Sequence, residues 1–78
     1  MTKRELIEDP ESCLNKAGED EPVFLLRARD VLAPKVVRLW ATLLEIETGT
    51  YPEKSSLALL LSNQMLTWQQ IHGKKIPD

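Results

Sequence analysis

Cysteine is nearly missing from this chain. Cys13 is the single one, so no internal disulfide can form, and the redox reading is a cytoplasmic compartment. Histidine is as scarce. His72 stands alone near the end, which leaves Ser–His or Cys–His catalysis without a well-placed base. Neither residue has a CxxC or HxxxH companion, so no zinc site is expected. The three glycines, Gly18, Gly49 and Gly73, suit helix ends, and no glycine-rich phosphate loop exists. Aromatic residues number four: Phe24, Trp40, Tyr51 and Trp68.

Charge is missing from residues 55–73, a length that would suit a membrane span. Three serines or asparagines and three glutamines interrupt that run, together with Ser55, Thr67 and His72, so it does not read as a span. Residues 1–9 carry charge throughout, which predicts no secretory leader.

What is present is leucine, thirteen copies in 78 residues. Leucine is a strong helix former, and β-branched residues are few. With 42% hydrophobic and 28% charged residues, the chain reads as one folded domain, not a disordered tail. A domain this short is only marginally stable alone, so a partner subunit would help it. The net charge is −2, and residues 9–21 hold five carboxylates against Lys16. That acidic stretch is a solvated face and argues against general nucleic-acid affinity.

Helix signals punctuate the chain. Thr2 and Glu5 have capping-box spacing. Asp9, Pro10 and Gly18 bracket a short helix with Cys13, Leu14 and Ala17 inward. Residues 22–30, "PVFLLRARD", fit either a helix or a strand by periodicity. Helix is preferred because no second strand exists to pair with it. Pro34 opens a helix over residues 34–47 that Gly49 ends. Pro52 opens the longest helix, running to His72, which Gly73 stops.

These elements predict an all-α fold, a small bundle of three main helices plus a short N-terminal one. It is a single domain over residues 1–78, with 1–8 and 74–78 frayed. The expected core is Leu14, Phe24, Ala28, Val31, Val36, Val37, Trp40, Leu44, Leu57, Leu61, Met65 and Trp68. Leu59 and Leu66 fall on the other side of the last helix, seven residues apart, framed by uncharged Ser62 and Asn63. Exposed helix faces usually carry Lys and Glu, so this reads as a second seam for a partner. Arg27 and Arg29 are expected to pair with Asp30 and the acids of residues 19–21, or to hold a partner's carboxylates. Asp30 itself suits a cap on the turn before Pro34.

The stretch "CLNKAGEDEPVFLLRARDVLAP", with "VVRLWA" and "LLLSNQMLTWQ" after it, resembles a family of small uncharacterised phage and prophage proteins. The matching positions are Cys13, Leu14, Lys16, Ala17, Glu21, Pro22, Phe24, Leu26, Arg27, Ala28, Asp30, Leu32, Ala33, Pro34, Trp40, Ala41, Met65 and Trp68. The sequence departs from that pattern over residues 45–56. The resemblance implies a setting, the cytoplasm of a bacterial host, and no activity.

The reading is therefore a non-enzymatic protein–protein interaction module without cofactor or metal. It would self-associate, as a homodimer, through Leu59, Leu66, Ser62 and Asn63, with Arg27 and Arg29 as further partner contacts. In a phage it would be an accessory protein or an inhibitor of a host or defence protein. The alternative is a small nucleic-acid-binding regulator using Arg27, Arg29, Lys35 and Arg38, which salt-dependent retention on DNA would reveal.

Overall fold

Two Pro–Gly brackets shape most of the molecule. A computed structural model describes residues 1–76 and contains four helices in chain order: α1 (Lys3–Glu8), α2 (Cys13–Lys16), α3 (Ala33–Thr48) and α4 (Pro52–His72). Pro34 sits in the first turn of α3, where its missing N–H has no helical partner to lose. Gly49 ends α3 at φ 65°, a left-handed conformation that costs glycine nothing, and its N–H closes on Glu45 O at 2.9 Å. Pro52 and Gly73 do the same service for α4. The class is all-α, as the sequence predicts.

The expected helix over residues 22–30 does not form. Residues 21–27 are extended and residues 28–32 turn, with no strand partner for the extended run. Pro22 favours extended backbone before it, and nothing packs on the apolar side chains to repay helix nucleation. Asp30 behaves as expected. Its Oδ1 accepts from Leu32 N at 2.8 Å and sets the turn into α3.

The ends are more ordered than a frayed reading allows. Thr2 Oγ1 accepts from Glu5 N at 3.2 Å and caps α1. Ser12, not Asp9, caps α2, accepting from Asn15 N at 3.1 Å while its hydroxyl donates to Leu6 O at 2.6 Å. Asp9 is occupied one turn earlier, accepting from Glu11 N at 2.9 Å. The Asn15 amide then grips Leu6 O, Ile7 O and Asp9 O at 3.0, 2.9 and 2.8 Å. Cys13 and Leu14, expected inward, are exposed, because this unit closes through polar groups on Ser12 and Asn15. At the other end Lys75 pairs with Asp30 in an isolated parallel bridge, Val31 N donating to Lys75 O at 3.0 Å. Residues 77–78 of the expected frayed tail lie outside the described residues.

Asn15→Ala removes one group that serves three carbonyls. We expect it to melt α1 and α2 while α3 and α4 stay intact. Loss of amide protection confined to residues 3–17 in hydrogen exchange would show this; protection unchanged there would contradict it.

The long helices meet through small residues. On α4, Ser55, Ala58, Ser62, Met65 and Gln69 are buried, spaced three and four apart in alternation. On α3 the buried residues are Ala33, Pro34 and Ala41, with Val37 and Leu44 half-buried beside them. Ser62 Oγ crosses between the helices and donates to Pro34 O at 2.8 Å. Ser55 Oγ donates to Glu45 Oε1 at 2.8 Å near the loop. Of the expected core, Met65 is buried, while Ala28, Val31, Val37, Leu44, Leu61 and Trp68 are half-buried. Leu14, Phe24, Val36, Trp40 and Leu57 are exposed. Small side chains win the seam because they let two backbones approach closely enough for side chain-to-backbone bonds between helices.

Candidate functional site

An α-helix that buries small residues on one face turns its large ones elsewhere. On α3, Val36, Leu39, Leu43 and Ile46 are exposed and spaced three, four and three apart. At 3.6 residues per turn they lie opposite the face that meets α4. Trp40 flanks them with 52% of its surface open. On α4, Leu57, Leu60 and Ile71 form the matching outward stripe, again opposite the hairpin seam. Pro52, Glu53, Ser56, Leu57 and Leu60 line a shallow, mainly apolar hollow there.

The residues singled out in the sequence separate into three places. Leu59 and Leu66 are 36% and 43% exposed, on the flank of α4 next to Arg38 of α3. Asn63 stands between them, its Oδ1 accepting from Arg38 Nη2 at 3.4 Å. Ser62 is fully buried and belongs to the hairpin interior, so it cannot face a partner. Its place in the three–four spacing of Ser55, Ala58 and Met65 puts it inward.

Arg27 is exposed and Arg29 half-buried. Among the described residues neither pairs with Asp30 or with the acids of residues 19–21; the ion pair found there joins Lys16 to Glu11 at 3.1 Å on open surface. The Arg29 guanidinium carbon lies 5.1 Å from the Trp68 ring centroid, and Trp68 stacks on His72 at 4.3 Å. Arg29 Nε is buried without a hydrogen-bond partner. Desolvated over a ring, this arginine holds by its quadrupole attraction what an ion pair would hold elsewhere.

Gln69 was not singled out by sequence reasoning. Its Nε2 donates to Ala28 O at 2.8 Å and Asp30 O at 2.9 Å, fastening the turn before α3 to the C-terminal part of α4. The outward stripe of α3 was also missed, and its three–four–three spacing was the available signal. Among the described residues no group of three or more His, Cys, Asp or Glu is placed to hold a metal ion, and no helix is long and apolar enough to cross a membrane.

The arrangement can bury apolar surface against another molecule. The chain exposes 6535 Å². A folded monomer of 8.9 kDa would expose about 4,800 Å². The excess, about 1,700 Å², is roughly twice what one partner contributes to a standard protein interface. The radius of gyration agrees, at 13.4 Å against about 11.5 Å for a compact chain of this length. Compared with known proteins, the chain matches no family model, no curated protein and no solved structure.

Proposed function

We propose that this protein is a non-enzymatic interaction module whose working form is an assembly of its own copies. The observation that carries the reading is the inversion of the hairpin: alanine and serine inside, leucine, valine, isoleucine and tryptophan outside. Solvent does not reward that arrangement, whereas a second copy presenting the same stripe would. The α3 stripe of Val36, Leu39, Leu43 and Ile46 is the principal seam, with coiled-coil spacing. Leu59 and Leu66 extend it from the flank. A phage or prophage setting belongs to the same proposal, and rests on the residue pattern at positions 13–68.

Sedimentation equilibrium tests it. The native chain is expected to run above its monomer mass of 8.9 kDa. Leu39→Glu with Leu43→Glu is expected to shift it to monomer, and Leu59→Glu with Leu66→Glu to weaken association less. Trp40 emission should move to longer wavelength as the seam opens. A native monomer at about 100 µM, a concentration at which even weak specific interfaces associate, would sink the proposal.

A further inference from the structure

We propose that residues 1–26 form an arm that docks on α4 of a second copy, with Phe24 seated in the hollow beside Leu57 and Leu60. This inference rests on the self-association reading and names the segment that completes it.

The arm makes no packed contact with its own hairpin. Among the described residues α1 and α2 pack on each other and on neither long helix. Their side-chain hydrogen bonds stay within residues 1–21. Helices of six and four residues do not hold themselves in water and need a surface to lie on. The link after them is extended, and it carries Val23, Phe24 and Leu25 outward, Phe24 with 85% of its surface open. Three consecutive bare apolar residues on an extended segment are a peptide ligand without its groove.

Reach decides which groove. The arm leaves the hairpin at Ala28, whose carbonyl is tied to Gln69 at 2.8 Å. Four residues separate Phe24 from Ala28, a span of at most about 14 Å. Along α4, Ser56 lies about 20 Å from Gln69, and the hollow faces away from the hairpin seam, roughly 10 Å around the helix. Phe24 therefore falls short of the hollow on its own chain. The same hollow on another copy has no such limit.

Charge favours the same occupant. Residues 1–21 hold seven carboxylates against three cations, while residues 27–76 hold seven cations against four carboxylates. The arm and the hairpin attract each other as surfaces, and the tether denies them each other within one chain. The surplus surface, about twice one partner's share of a standard interface, leaves room for an arm contact beside the α3 seam.

Two measurements test the proposal on the full chain. In the first, Phe24→Asp is compared with the native chain by sedimentation. We expect the dissociation constant of the assembly to rise at least about 30-fold, with the helix content of α3 and α4 kept by circular dichroism. In the second, a photo-cross-linker is carried on Val23→Cys in a Cys13→Ser background. Equal parts of ¹⁵N-labelled and unlabelled chain are mixed, irradiated and digested. Cross-links into residues 52–72 that join a labelled to an unlabelled peptide are the expected result. Cross-links confined to single chains would mean that the arm folds back, and would overturn the proposal. An assembly with unchanged affinity in Phe24→Asp would overturn it too, leaving self-association standing. A native monomer would remove both.

Discussion

Ala41→Leu should lower the thermal midpoint of the protein by roughly 8–16 °C, which is about 2 kcal/mol for a domain of this size. Ala41 is 1% exposed, in the face of α3 that meets α4. The facing helix presents Ser55, Ala58 and Ser62, which are buried and have no longer side chain to move aside. Three added carbons must push the helices apart. That separation also stretches the Ser62 Oγ to Pro34 O bond, 2.8 Å in the native hairpin, and a lost bond of this kind costs about 1 kcal/mol. Leu39→Ala is the matched control. Leu39 is exposed on the outer stripe, so shortening it leaves the hairpin itself unchanged. Its effect should appear only through association, as a midpoint drop that vanishes on dilution. Thermal scans of both variants at two protein concentrations separate the cases. A small residue that tolerates leucine at position 41 would mean that the α3–α4 seam is looser than described.

Gln69→Ala is expected to free the segment before α3 at a cost of about 2 kcal/mol. One amide serves both Ala28 O and Asp30 O, and Gln69 is buried. Truncation leaves two carbonyls facing a gap, and water must enter or the turn must move. The Arg29–Trp68 contact lies in the same stretch, one residue away on each side, so it should loosen with the turn. Hydrogen exchange should then rise at Asp30, Val31 and Lys75, whose backbone bonds hold the turn and the bridge. Gln69→Glu adds a sign test. An ionised carboxylate has no proton to donate and would face two carbonyl oxygens. Its penalty should be absent well below the ordinary glutamate range and grow as pH rises through it, because burial against acceptors favours the protonated form. Equal stability of Gln69→Glu and native protein at neutral pH would contradict the two-carbonyl clasp.

How much was legible beforehand can be read element by element. The span of α4, Pro52 to His72, follows from a proline that begins a helix and a glycine that ends one. The same local chemistry places Gly49 and the Thr2 cap. Residues 22–30 failed because periodicity in a run that short fits two states, and the deciding factor, whether anything covers Phe24, is not local. The core failed for a different reason. Ranking residues by size puts Trp40 and Leu57 inside, yet packing between two helices rewards complementary spacing. Ser55, Ala58, Ser62, Met65 and Gln69 have that spacing, with only one large apolar residue among them. Leu59 and Leu66 were located by the absence of charge around them, and both are exposed. Ser62 was placed beside them, although its position in the inner repeat turns it toward α3.

By itself the sequence determined the all-α class, the ends of both long helices, the lack of a metal-ligand motif and the acidic character of the first third. These depend on single residues and their neighbours, where proline, glycine and capping side chains act through the backbone beside them. Only the tertiary structure decided which face of each helix is inside, that Gln69 clasps the turn at Ala28 and Asp30, and that residues 21–27 lie bare. Each of those depends on how closely two backbones approach, and that distance is set by pairs of residues far apart in the chain, such as Ser62 and Pro34.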